Sequence, residues 1–258
     1  MKEPRVQVTL IQIDNYGPWT TTLGDDREHR LQILQAELYS SLQEEFAARN
    51  GLVFFNKFDE MIAITNGISL EEHKEIQAKV HERFPFTLSM SIGVDVTPFK
   101  AHVKASRLLQ MAGSAQSEQR NGALTVNETI SADESYAQII HIDVDGITDM
   151  TDHSFPFETS LKLLRSQLDL MTLFGELDSL LFYMGGDNFM AVTTQLSEET
   201  VAERLRNYSL GGLPLKFGLG LAQTARKAAE IATMNLEHVR HERENHNYVV
   251  SPDLRDNR

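Results

Sequence analysis

Two aspartates and a pair of glycines are the residues of this chain best suited to chemistry. Asp187 follows Gly185-Gly186 and precedes Asn188-Phe189, between the apolar runs Leu181-Phe182-Tyr183 and Met190-Ala191-Val192. Apolar runs on both sides of Gly-Gly-Asp predict a β-hairpin, because glycine reaches positive φ without a Cβ clash. A turn without side chains also lets a phosphate chain come close to the backbone. Upstream, Asp143 closes the apolar run Ile139-Ile140-His141-Ile142, with Val144 and Asp145 next. If adjacent strands bring Asp143 and Asp187 to one sheet edge, both stay charged cheaply only when a cation joins them. An all-oxygen, partly open site suits magnesium, which keeps waters and takes substrate phosphates as further ligands. The expected metal set is Asp143, Val144, Asp145 and Asp187. The plain alternative is that strand-end aspartates cap the loops after them and the glycines serve only the turn.

The elements that must position these residues follow from periodicity. Residues 7–14 read as a buried strand ending at Asp14, and 15–19, Asn-Tyr-Gly-Pro-Trp, as a loop. Leu31, Leu34, Leu38, Leu42 and Phe46 recur at helical spacing within 28–49, before Gly51. Strands are expected at 52–55 and 61–65, around a turn containing Asp59, and at 86–94. Ser69 with Glu72 forms a capping-box signature for a helix to 84, and Thr97-Pro98 opens another to 111. Residues 114–135 are polar with little periodicity and read as a linker. The order then restarts, with a strand over 136–143, a helix over 158–174, the hairpin over 180–193, a helix over 197–207, a strand over 213–221 and a helix from Thr224. A short strand is expected at 248–250 and a loose tail at 251–258.

The restart is an internal repeat. Ile11-Gln12-Ile13-Asp14 lies over Ile140-His141-Ile142-Asp143, and Phe58-Asp59-Glu60 lies over Gly186-Asp187-Asn188. Ser91-Ile92-Gly93 lies over Gly218-Leu219-Gly220. Each half is a strand–helix–hairpin–helix–strand–helix unit. The expected class is α+β, with two tandem ferredoxin-like domains of antiparallel sheet and helices on one face, at 1–113 and 136–250. Lys57-Phe58 fills the glycine positions of the first half, so the second half is the better equipped.

Composition bounds the function. The 258 residues have 41% hydrophobic content, no cysteine and a formal net charge of −13. That excludes a disulfide scaffold and a thiolate metal site, and it opposes a nucleic-acid surface, which needs clustered lysine and arginine. No run is long and apolar enough for a membrane span or a signal peptide, so no membrane partner and a cytoplasmic location are expected. Acidity does not oppose a nucleotide, since metal ions neutralise a triphosphate locally.

Asp143-Val144-Asp145 followed by Gly185-Gly186-Asp187-Asn188-Phe189 resembles the GGDEF and nucleotidyl-cyclase palm superfamily. Adding Ile13-Asp14-Asn15-Tyr16-Gly17-Pro18-Trp19-Thr20, Ile62-Ala63-Ile64-Thr65-Asn66-Gly67 and Gly113-Ser114-Ala115-Gln116, the chain resembles the archaeal-type GTP cyclohydrolase III family along nearly its whole length. The resemblance implies that GTP is the substrate. Water adds at C8, the imidazole ring opens with the formyl group retained, and two phosphates leave. The product, a formylamino-pyrimidine ribosyl monophosphate, serves flavin and deazaflavin synthesis. Magnesium and a monovalent cation such as potassium are implied as cofactors, and a homo-oligomer, dimer or tetramer, as the assembly. Asp143, Asp187 and Asp14 are the implied catalytic residues. Gly185, Gly186, Asn188, Phe189, Asn15, Tyr16 and Asp152 are the implied substrate contacts. Asp14, Asp145 and His141 are open alternatives for assisting attack at C8, and His141 is equally an interior strand residue. Tyr16 and Trp19 either stack on the purine or pack their loop. The base-reading positions of the superfamily fall near Thr151 and Asp152.

Asn188 stands where diguanylate cyclases carry glutamate, which weakens a cyclase reading. Asp143-Val144-Asp145-Gly146 is similar to the aspartate-nucleophile phosphatases, but Ile147 separates the glycine from Thr148. A calcium hand is excluded by the spacing of its acids and glycine. The rival from another class is a sensor that binds GTP without turning it over.

Overall fold

The computed structural model describes residues 4–147, 152–206, 208, 215–241 and 248–249. The contacts divide the chain into two units: Met1–Tyr136 with Gln223–Arg226, and Ala137–Ala222 with Lys227–Arg258.

In the first unit β1 (Val6–Ile13) is the central strand. A short helix α1 (Tyr16–Thr21) follows, then α2 (Glu28–Ala47), the hairpin β2 (Leu52–Lys57) and β3 (Glu60–Ile64), α3 (Leu70–Arg83), β4 (Leu88–Asp95) and α4 (Pro98–Met111). The sheet order is β2-β3-β1-β4-β5, where β5 is Leu124–Val126. β1 pairs antiparallel with β3 and β4, and β5 joins β4 in parallel. Strand–helix–strand–strand–helix–strand with this order is a ferredoxin-like unit. Leu38, Leu42 and Phe46 of α2 and Ile76 and Val80 of α3 seal onto Ile11, Ile13, Met61 and Met90 of the sheet. Each such buried side chain contributes about 1.5–3 kcal/mol.

The second unit repeats this plan. It runs β6 (Ala137–Val144), α5 (Pro156–Gly175), β7 (Leu180–Gly185), β8 (Asn188–Thr193), α6 (Glu198–Arg206), β9 (Leu215–Ala222) and α7 (Ala225–His241). Its sheet order is β10-β9-β6-β8-β7, with β10 (Tyr248–Val249) parallel to β9. The chain is thus α+β with two tandem ferredoxin-like units. Ser69 accepts from the Glu72 N–H and Glu72 reaches back to the Ser69 N–H, so the capping box forms as its sequence requires.

Four expectations change. First, the helices cover both faces. Val8 lies opposite Gly93, on the face away from Ile11 and Ile13, and a Cβ on Gly93 would collide with Ala101 O of α4. Gly218 and Gly220 similarly admit α7 against β9. β1 and β6 are therefore buried on both sides, which alternation alone does not reveal. Second, 15–19 is not all loop: a helix opens at Tyr16, with Pro18 in its first turn, where no N–H is missed. Third, the stretch read as a linker supplies β5 and the 3-10 turn Ala132–Glu134 to the first unit. Fourth, the repeat register moves. Val8 faces Ile64 and Gly93, whereas Ile139 faces Val192 and Gly220. By strand pairing Gln12, not Asp14, matches Asp143, and Asp14 matches Asp145. A slip of two residues keeps every side chain on its own face, so an apolar pattern cannot detect it. Val250 and the 251–258 tail lie outside the described residues.

Candidate active site

The second unit carries the carboxylate pair. β6 ends at Val144, and its neighbour β8 begins at Asn188, directly opposite Asp143. The Val144 N–H donates to Asp187 O at 3.2 Å, which ties the turn to the strand end. Gly185 and Gly186 take φ of 100° and 60°, a conformation that opposes a Cβ. The space beside Gly185 is open, and Tyr183 Oη donates to Gly186 O at 2.9 Å. The bare turn is held from one side and accessible from the other.

Asp143 is 8% exposed and is held by Arg240 of α7, whose Nη2 donates to Oδ1 at 2.6 Å. The same Nη2 reaches Asn188 Oδ1 at 3.4 Å. Asn188 Nδ2 donates to Asp187 Oδ1 at 2.8 Å. His141 Nε2 meets Asn188 Oδ1 and its Nδ1 meets Thr233 Oγ1, both at 3.1 Å. Because Asn188 Oδ1 can only accept, His141 carries its proton on Nε2. Burial pushes the His141 ring below its usual value, so it is neutral at pH 7. His141 is an interior brace for Asn188.

Burial and the neighbouring charge of Asp143 hold the Asp187 carboxyl above the ordinary aspartate value. Two acids in one polar corner, one with its ionisation suppressed, have the chemistry of a cation seat. Hard carboxylate oxygens fit magnesium. Asp145 pairs with Lys216 at 2.8 Å, and among the described residues no group of three acids or histidines converges. The side chains that fit a cation are therefore Asp143 and Asp187.

The other expected residues lie elsewhere. Phe189 is fully buried among Ile140, Ile142 and Leu181 on the opposite sheet face, where it belongs to the core of the second unit. Val144 is also buried in that core. Asp152 is exposed, and Thr151 lies outside the described residues. In the first unit, Asp14 is 4% exposed and has no free acceptor. Its carboxylate receives Ser89 Oγ at 2.6 Å, Thr87 Oγ1 at 2.8 Å, Arg120 Nε at 2.9 Å and the Gly122 N–H at 2.8 Å. This is a buried structural anchor and not a poised base. Tyr16 Oη accepts from Gln35 Nε2 at 2.6 Å, and Asn15 precedes α1 with φ 50°.

Sequence reasoning missed Arg240, Lys216 and Arg120. Arg240 had one signal: Thr233, Leu236 and Arg240 recur at helical spacing on α7, so an arginine shares a stripe with the buried Leu236 and the half-buried Thr233.

A sequence profile described as GTP cyclohydrolase III matches residues 8–253. The chain belongs to the GTP cyclohydrolase III family. A GTP cyclohydrolase III of Methanothermobacter thermautotrophicus is 47% identical over 237 residues, covering 91% of this chain and 94% of that protein. One from Methanocaldococcus jannaschii is 44% identical, covering 91% and 88%. Among solved structures, the FimX GGDEF domain of Pseudomonas aeruginosa matches at 12% identity and a TM-score of 0.37, covering 48% of this chain and 82% of that one. A likeness this low adds nothing to the GTP cyclohydrolase III assignment.

Proposed function

We propose that this GTP cyclohydrolase III family member opens the imidazole ring of GTP in a magnesium-dependent reaction. Water adds to C8, the bond from C8 to the glycosidic nitrogen breaks, and the formyl group stays on the other ring nitrogen. Two further waters release two inorganic phosphates. The product is the formylamino-pyrimidine ribosyl monophosphate, which suits a route to flavins and deazaflavins. The observation that carries this reading is the placement of Asp143 opposite Asn188, next to Asp187 and an open Gly-Gly turn, in a member of this family.

Asp143 and Asp187 would hold the cation, with the backbone of Val144 as a neighbouring oxygen donor. When bound, magnesium supplies charge neutralisation for the triphosphate and a water of lowered pKa. The chain's own residues do the rest. Gly185 and Gly186 give phosphate oxygens access to the backbone. Arg240 fixes Asp143, and its positive charge favours an anionic substrate. Asn188, braced by neutral His141, orients Asp187. A monovalent cation and a homo-oligomeric assembly belong to the same reading.

Incubating the protein with GTP and magnesium tests it. The purine absorbance should collapse as two phosphates appear per GTP, and Asp143→Ala or Asp187→Ala should lower turnover by about a thousandfold or more. Saturable GTP binding with an unchanged spectrum would favour a sensor. Pyrophosphate release would favour a cyclase.

A further inference from the structure

The helix α5 is apolar on two opposite faces. One face, with Leu170 and Phe174 fully buried and Leu163 and Leu173 packed beside them, seals the core of the second unit. The other carries Phe157, Leu161, Leu164, Leu168 and Met171, all of them exposed. Phe157 is 75% exposed, Leu164 60% and Leu168 65%. A helix that is apolar all round belongs in an interior, so the outer face calls for a cover.

The duplicated helix of the first unit supplies the comparison. α2 and α5 each have 20 residues. Laying Leu170 and Phe174 over the buried Leu42 and Phe46 puts His29, Ile33, Ala36, Ser40 and Gln43 at the five outer positions. Except for Ile33, these are polar or small, so the fold does not require an apolar stripe there. With Phe155 at the helix start, the stripe of α5 leaves on the order of 600 Å² uncovered, at roughly 150–250 Å² for a large side chain. That is the upper end of the roughly 300–600 Å² of the largest patch on a monomer. It approaches the roughly 800 Å² that each partner gives to a standard interface.

Spacing and charge say what covers it. The five residues recur at steps of four, three, four and three, the a/d repeat of a seam between two helices. Such a stripe is self-complementary about a two-fold axis. In an antiparallel pair of α5 helices, with the axis between the levels of Lys162 and Leu163, Phe157 meets Leu168 and Leu161 meets Leu164, each twice. The same register sets Glu158 beside Arg165 of the other copy, again twice. Both are exposed, and among the described residues neither has an ion-pair partner within the chain. A parallel pair would set Arg165 beside Ser160 instead. We infer that α5 is an interface between two copies of this chain, packed antiparallel, with the Glu158–Arg165 pairs fixing its direction and register. The homo-oligomer of the GTP reading names no face, and this assignment rests on none of the carboxylate chemistry.

The test is the particle mass of the full-length protein. Light scattering should give at least twice the 29.2 kDa of one chain. Leu164→Glu and Leu168→Glu, each alone, should halve that mass and keep the circular dichroism of the parent, because both positions are exposed. Glu158→Arg or Arg165→Glu sets like charges together and should weaken association about tenfold at low salt, measured by sedimentation equilibrium. The double reversal should restore it. Asp187→Ala should keep the parent's mass, so a failure of the GTP reading leaves this one standing. A parent that runs as a single chain, or an unchanged mass in both leucine variants, would overturn the proposal. Single reversals without effect, or a double reversal that does not recover, would overturn it too.

Discussion

Asp187 is costly to the protein when no cation is bound. Its carboxyl is raised above 3.8 by burial and by Asp143. A raised acid takes up its proton more readily in the folded than in the unfolded chain. Its contribution to stability is therefore complete below the unfolded value and fades as pH rises through the folded one. At neutral pH the ionised pair opposes folding. In the presence of a chelator, Asp187→Asn should melt at a higher temperature than the parent at pH 7. Magnesium should then raise the melting temperature of the parent and leave that of the variant in place. A variant that melts lower without metal would remove the idea of a suppressed carboxylate. Gly-Gly-Asp and the strand-end Asp143 were legible because they interrupt apolar runs. Arg240 was not, because its partner lies 97 residues away in sequence and only the fold joins them.

At the scale of elements, two close packings set testable costs. A Cβ on Gly220 would run into Ala228 O and the Ala232 N–H of α7, both of them backbone. Gly220→Ala should therefore cost about 1–3 kcal/mol or more, measured by urea unfolding of the full chain. An unchanged midpoint would mean that α7 has room to retreat. The helix α3 carries a second device. His73 is fully buried, with Nδ1 at 2.7 Å from Ser69 O and Nε2 at 2.8 Å from Thr9 Oγ1. The carbonyl fixes the proton on Nδ1, so Nε2 must accept. Burial holds the ring below its usual 6.5. The unfolded chain thus protonates first on acidification. The stability this ring contributes is present above about pH 6.5 and is lost as pH falls through the folded value. Calorimetry from about pH 7.5 to about 5.5 should show a falling midpoint, and His73→Gln should be less stable at the start but flatter across the window. A parent profile as flat as the variant's would refute this. The elements themselves were readable from apolar spacing and caps. The helix face was not, since Gly93, Ala101 and Ala105 announce a close approach only after their partners are known.

On the scale of the whole molecule, duplication has left two unequal copies. Pairing register puts Gln12 where the second copy has Asp143, and Asp59 where it has Asp187. A neutral amide with one acid makes no cation seat. Asp59→Asn should leave GTP turnover within about threefold of the parent, against a collapse for Asp187→Asn. A comparable loss in both would show that the first copy takes part in the chemistry of the phosphates. The repeat was visible in the sequence through its hairpin and its glycine-bearing strand. Its exact register was not, because Ile11 to Asp14 and Ile140 to Asp143 align well by type while pairing two residues out of step.

Gln223–Arg226 belongs to the first unit although the segments on either side of it belong to the second. There Gln223 O accepts from Ser135 Oγ at 3.0 Å and from Asn66 Nδ2 at 3.3 Å. A polypeptide stopped after Tyr136 would lack four residues of its own fold, encoded nearly ninety positions later. The two copies, though tandem by descent, are no longer separable by a single cut.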